Sequence, residues 1–271
     1  KLNDEKLKPY FKLDNVLEGA FKVANKLFNL SFKEVKNIDT YHDEVRTFEV
    51  TNFKDNLISI FYVDFHPRKS KRGGAWMTTF KNQKIKNGIN ERPHVANVCN
   101  FTKPTNSKPS LLTFDEVTTL FHEFGHALHG MLANTNYPSL SGTNVHWDFV
   151  ELPSQILENW CYEKECLDTF AKHYKTDKNI PIKFINKIKE SSVFLQGMNT
   201  LGQIKLGLLD MGWHNINPTN ITNVKDNELK STIGTQLLSD IKETCTSVSF
   251  GHIFASGGGY AAGYYSYKWA E

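Results

Sequence analysis

Apolar residues recur at helical spacing between Asp14 and Phe28, where Val16, Leu17, Ala20, Phe21, Ala24 and Leu27 share one side and polar residues the other. That pattern predicts a surface helix. Val45 to Val50 and Leu57 to Phe65 are rich in β-branched and aromatic residues around an Asn52–Asn56 turn, and Ala75 to Phe80 and Val95 to Phe101 add two more extended stretches. A small sheet is expected within about residues 40–101. After Pro109 the period is helical almost throughout: Phe114 to Leu132, Val150 to Asp168, Pro181 to Ser192, Val193 to His214, Gln236 to Val248, and Tyr260 onward. The expected class is α+β, predominantly α-helical. No repeat, low-complexity segment or Pro-rich linker marks a boundary, so residues 1–271 read as one domain, with a helical part over 112–271.

Candidate chemistry begins at His122-Glu123-Phe124-Gly125-His126, an H-E-x-x-H pattern whose two imidazoles lie one helical turn apart and can hold the same Zn²⁺. Thr113-Phe-Asp-Glu116 is a capping box that starts a helix just before it. At about 100° per residue, His122 and His126 share a face with Asp115 and His129, while Val117, Leu120, Phe121, Phe124, Leu128 and Met131 cover the opposite one. One face packs and the other can bind. A bare match of this kind also occurs on helices whose histidines are exposed or satisfied in a core, and the capped, amphipathic context argues against that reading here. His129 is expected to support or pack, because a catalytic zinc takes three protein ligands and leaves one position for water.

A third ligand is sought in Asp148-Phe-Val-Glu-Leu-Pro-Ser-Gln-Ile-Leu-Glu-Asn-Trp160, where Pro153 suits a first helical turn. Glu151, Gln155 and Glu158 lie along one side of that helix, and Leu152, Ile156 and Trp160 belong to an apolar stripe. By spacing alone, any of Asp148, Glu151 or Glu158 can serve.

Composition narrows the setting. A content of 39% hydrophobic and 13% aromatic residues in 271 supports a sizeable core, and a formal net charge of +3 without a basic run asks for neither nucleic acid nor an anionic membrane. Four cysteines, Cys99, Cys161, Cys166 and Cys245, form no C-x-x-C pair and are too sparse for a disulfide framework. They read as free thiols of a reducing compartment, and a cytoplasmic location is expected. No apolar stretch approaches the ~20 residues of a membrane span. The start resembles neither an initiator Met nor a signal peptide, and the end reads as a helix still in progress, so the chain is expected to be a piece of a longer protein.

Four ordered blocks resemble one family. They are Tyr62-Val-Asp-Phe-His-Pro-Arg68 with Lys71-Arg-Gly-Gly-Ala-Trp76; Phe121 to His129; Leu140-Ser-Gly-Thr143 leading to Asp148-Phe-Val-Glu-Leu-Pro-Ser-Gln155; and Phe250-Gly-His252 with Tyr260-Ala-Ala-Gly-Tyr-Tyr-Ser-Tyr267. Together they are similar to thimet oligopeptidase, bacterial oligopeptidase A and the peptidyl-dipeptidases (dipeptidyl carboxypeptidases), over nearly the whole chain. The resemblance implies a zincin-like catalytic domain in which Glu151 is the third zinc ligand beside His122 and His126. It also implies an additional N-terminal helical segment, absent here, that faces this part across a channel admitting short peptides.

Three ligands leave one metal position for water of pKa near ~7, and Glu123, which points away from its His neighbours, is free to act as general base. The resemblance further implies Tyr260 and Tyr267 as oxyanion or substrate donors, with Tyr264 and His252 close by, and Gly142 and Thr143 in a loop that binds substrate backbone. An ordinary aromatic helix face and a simple polar turn are the plainer readings of those two groups. The stretch Ile253 to Gly259 is longer than the family's usual connection, which loosens the assignment of His252. Met77-Thr-Thr-Phe, Arg92-Pro-His-Val and Leu-Ser-Gly-Thr-Asn look closest to the bacterial peptidyl-dipeptidases, so release of C-terminal dipeptides is expected. Internal cleavage of short peptides is the alternative, and a non-catalytic peptide-binding fragment the reading from another class. A structural zinc domain is disfavoured for want of a Cys cluster, and Co²⁺ or Mn²⁺ suit a similar ligand set.

Overall fold

The computed structural model describes residues 3–237, 244–254 and 259–271. They form two compact units, one of residues up to 145 together with 152–191, the other of 146–151 together with 192–271.

The first unit opens with a short helix α1 (Asp4–Leu7) and the amphipathic α2 (Leu13–Phe28). Helix α2 stops at Asn29, whose left-handed φ of 53° an asparagine tolerates. The chain then enters β1 (Ser31–Val35), β2 (Arg46–Thr51) and β3 (Leu57–Asp64), a meander of antiparallel neighbours. β4 (Trp76–Lys81) and the small hairpin of β5 (Lys84–Lys86) and β6 (Ile89–Glu91) carry the chain back, so that β7 (His94–Val98) pairs parallel with β3. The five-stranded order is β1-β2-β3-β7-β4.

Period-two alternation decides the two faces of this sheet. Phe48, Val50, Phe61, Val63 and Val95 join the large core with α2 and α3 (Phe114–Met131), whereas Val45, Ile60, Tyr62 and Ala96 form a smaller cluster. At the centre of the large core, Phe21 stacks on Phe32 at 4.1 Å and meets Phe48 and Phe124 edge-on or tilted at 5.1 and 5.9 Å. Phe124 belongs to the H-E-x-x-H run, so the motif's apolar residue fixes α3 to the sheet. At the end of β3 the buried Asp64 accepts a two-pronged pair of bonds from Arg68 at 2.8 Å each, one from Lys71 at 2.9 Å and one from Tyr41 at 2.9 Å. Helices α4 (Leu152–Glu158), α5 (Lys164–Phe170) and α6 (Ile182–Ser192) complete the unit.

The second unit holds α7 (Gln196–His214), α8 (Val224–Ser231), α9 (Gly251–Phe254) and α10 (Ser266–Ala270), and Leu209 of α7 and Ile253 of α9 form a small core with Phe250. The buried Glu228 of α8 accepts the backbone N–H groups of Thr246 and Ser247 and the Ser247 hydroxyl. Burial alone would raise its pKa, but these donors outweigh burial and hold it at about 2.

The α+β class with a small mixed sheet is as expected, and the elements differ in detail. The sheet starts at Ser31, ahead of residue 40, because β1 is an edge strand with mostly exposed side chains and little apolar alternation. The helix expected over Val150 to Asp168 begins at Leu152 and passes through a tight turn at Asn159–Tyr162 before α5. Leu157 before that break, Cys161 within it and Cys166 after it are all buried, so the apolar period runs through it. Residues 238–243 of the helix expected over Gln236 to Val248 lie outside the described residues; its last part is a 3-10 turn tied to Glu228. From Tyr260 the chain turns until Ser266, with Ala262 at a φ of 55°.

Candidate active site

Helix α3 starts at the capping box, in which the Thr113 hydroxyl accepts the Glu116 N–H at 3.1 Å and the Glu116 carboxylate accepts the Thr113 N–H at 2.8 Å. Eighteen residues of helix follow, with Phe121 and Phe124 buried and the His122 and His126 rings 4.9 Å apart on the other side. Glu123 is only 5% exposed. Gly125, between the histidines, has a steric role. A Cβ there would stand 2.4 Å from the Pro153 carbonyl oxygen and 2.6 Å from Ser154 Cα, so the first turn of α4 lies against the bare backbone of α3. Glu151 directly precedes that turn.

His122, His126 and Glu151 each offer one ligand atom, and these atoms lie within 4.8 Å of one another. Two imidazoles and a carboxylate are a donor set of catalytic zinc sites, and bonds of about 2 Å put such donors roughly 3.3 Å apart. The donor set therefore suits a zinc ion. The other two carboxylates left open by spacing lie outside this group. Glu158 Oε1 lies 2.7 Å from His122 Nδ1, and Asp148 Oδ2 accepts the Tyr265 hydroxyl at 3.1 Å. In the tautomer that donates Nδ1–H to Glu158, His122 keeps the lone pair of Nε2 for an ion. His129 also lies on α3; burial, with His126 nearby, pushes its pKa down.

The tyrosines form a cluster within the second unit. Tyr260 stacks on Tyr267 at 5.4 Å, lies edge-on to Trp147 at 4.7 Å and has His252 and Tyr264 at 5.8 and 6.2 Å. Its hydroxyl donates to Glu151 Oε1 at 2.9 Å. Burial above all, then Tyr260 and Glu151, drives the Tyr267 phenol well above the usual tyrosine range, and burial also raises Tyr264. Both phenols stay protonated as donors at neutral pH. His252 joins the cluster, its carbonyl accepting the Tyr260 N–H at 2.9 Å, while residues 255–258 of the connection lie outside the described residues. Gly263 has no room for a side chain, since a Cβ would fall 2.6 Å from Trp147 Cδ1.

Gly142 has a φ of +58°, and a Cβ on it would lie 2.9 Å from Gly130 Cα, at the last turn of α3. Thr143 follows it, half-buried. Sequence reasoning weighed Glu158 only as a ligand and missed Asp210 and Trp147. An Asp and a His at i and i+4 in the more apolar second half of α7, Asp210 with His214, was the available signal for Asp210.

An H-E-x-x-H helix with a glutamate just before the following helix offers the donor set that catalytic zinc sites use. The comparisons specify it. The model of Peptidase family M3 matches residues 1–271, and the chain belongs to that family. It is 42% identical over 273 residues to dipeptidyl carboxypeptidase of Escherichia coli and 41% identical over 273 residues to oligopeptidase A of Haemophilus influenzae, in each case over 100% of this chain and 40% of the relative. It is also 41% identical over 278 residues to the organellar oligopeptidase A of Arabidopsis thaliana, over 100% of this chain and 35% of that protein. The chain thus spans about 40% of the length of these bacterial relatives.

Proposed function

We propose that the complete protein is a zinc-dependent peptidase of short oligopeptides that releases dipeptides from their C-termini, and that this chain is its zincin-like catalytic domain. The grouping of His122, His126 and Glu151 beside a buried Glu123, in a chain of Peptidase family M3, carries the reading. The names of two relatives, dipeptidyl carboxypeptidase and oligopeptidase A, support peptides as the substrate class.

Zinc held by these three groups would supply Lewis acidity, acidifying water and polarising the scissile carbonyl. His122 and His126 bind through ring nitrogens, and Glu158 orients His122 and strengthens its donor nitrogen. Glu123 takes the proton of the attacking water and passes it to the departing amine. Tyr260 and Tyr267 are the donors for the developing oxyanion or the substrate, with Tyr264 and His252 beside them. Gly142 and Thr143 offer backbone groups to an extended peptide.

Partners are peptide substrates and the remainder of the protein, with neither nucleic acid nor membrane. Among the described residues no helix is long and apolar enough to cross a membrane. Four free cysteines support a reducing, cytoplasmic setting. The test is digestion of a peptide ladder by the complete protein, with free and amidated C-termini. Stepwise loss of dipeptides that amidation abolishes supports the reading; equal cutting of internal bonds in amidated peptides replaces it with an endo-acting oligopeptidase.

A further inference from the structure

We propose that Asp210 is the positioning residue that holds Tyr260 against Glu151, an inference that rests on the reading that the Tyr260 hydroxyl serves the reaction. Asp210 sits near the end of α7 and is 1% exposed. A carboxylate so buried is costly unless its oxygens are fully bonded. Here Oδ1 accepts the Ala262 N–H and Oδ2 the Tyr264 N–H, each at 2.9 Å, and His214 places Nδ1 2.7 Å from Oδ1.

The two captured amides belong to the segment that sequence periodicity assigns to a helix. Ala262 instead adopts a φ of 55°, a left-handed conformation that costs an alanine about 1 kcal/mol and persists only where the surroundings enforce it. Asp210 enforces it from one side. From the other, the bare Gly263 seats against Trp147, whose ring also meets Tyr260 edge-on. The result is a chain of contacts from Asp210 through two backbone amides to Tyr260, and from its hydroxyl to Glu151. An asparagine in place of Asp210 would aim an NH₂ group at one of the two N–H donors, freeing one end of the segment.

The experiment uses the complete protein and compares Asp210→Asn, Tyr260→Phe and the double variant. Three quantities are read: kcat and KM on a quenched fluorescent oligopeptide, zinc content, and hydrogen exchange of peptides spanning residues 259–271. For Asp210→Asn we expect full zinc content, faster exchange over 259–271 and kcat lower by about 10- to 100-fold with a smaller change in KM. The double variant should be no slower than the slower single variant within about threefold. Unchanged exchange, unchanged kcat, or losses that multiply in the double variant overturn the inference. If Tyr260→Phe alone keeps full kcat, the catalytic reading of Tyr260 fails, and exchange alone then decides whether Asp210 holds the segment. Should Asp210→Asn not fold, His214→Ala keeps the carboxylate but frees it to rotate; a smaller change of the same kind supports the inference, and no change in exchange or kcat overturns it.

Discussion

Removing the Glu158 carboxylate separates a ligand from a residue that acts through one. The His122–Glu158 bond is 2.7 Å long and charge-assisted, and it fixes both the orientation and the tautomer of a ring proposed to bind zinc. Loss of such an outer partner typically weakens metal binding 10- to 100-fold, about 1.4–2.7 kcal/mol. The Glu158 side chain is 34% exposed, so water can replace part of the bond and the lower part of that range applies. Glu158→Ala is expected to weaken zinc binding about 10- to 30-fold. Glu158→Gln keeps an acceptor and loses only the charge, so it should weaken binding by less, about 3- to 10-fold. Competition against a chromophoric chelator, with the complete protein at fixed pH and ionic strength, measures both. Binding unchanged within a factor of two in Glu158→Ala refutes the positioning role. A loss beyond about 10⁴-fold would make Glu158 a ligand and refute the grouping around Glu151.

Gly125→Ala gains about 1 kcal/mol of helix propensity but drives a Cβ into the backbone of Pro153 and Ser154, at a cost of about 1–3 kcal/mol. The net cost of about 0–2 kcal/mol should lower its thermal midpoint by no more than a few degrees, with zinc affinity falling too because Glu151 adjoins the displaced turn. Asp64 is held at about 2 against an ordinary 3.8, because bonds from Arg68, Lys71 and Tyr41 outweigh the opposing effect of burial. Burial draws Lys71 below the usual lysine range, and among the bonds that lower Asp64 the one from Arg68 is the largest. The lowered pKa makes this stability full above about pH 4 and lost as pH falls towards 2. Asp64→Asn should therefore cost at least about 2 kcal/mol in urea unfolding at pH 7 and progressively less below pH 4.

The helix that carries the two histidines was legible because each level of its sequence agrees. The cap, the apolar face through Phe121 and Phe124, and the histidine spacing all specify α3, and the structure realises them together. The strands β2, β3, β4 and β7 were legible for the same reason, their alternation matching a sheet with a core on both faces. Where residues are held by distant partners, local pattern misleads. The turn after Tyr260 looks helical until Asp210, some fifty positions earlier, captures its amides. The break after Glu158 carries no glycine or proline, and the apolar period runs on through Cys161. Spacing left Asp148, Glu151 and Glu158 equivalent, and only the tertiary grouping of Glu151 with His122 and His126 sets it apart, while Glu158 meets His122 and Asp148 meets Tyr265.

The central claim is that His122, His126 and Glu151 bind a zinc ion whose chemistry needs Glu123 as the proton carrier. Zinc content and cleavage of a quenched fluorescent oligopeptide, compared between the complete wild-type protein and Glu123→Gln, test it directly. The account predicts one zinc per chain in both and a loss of kcat of at least about 10³-fold in the variant. A folded wild-type protein that binds no zinc, or a zinc-loaded Glu123→Gln that cleaves as fast as wild type, would contradict it.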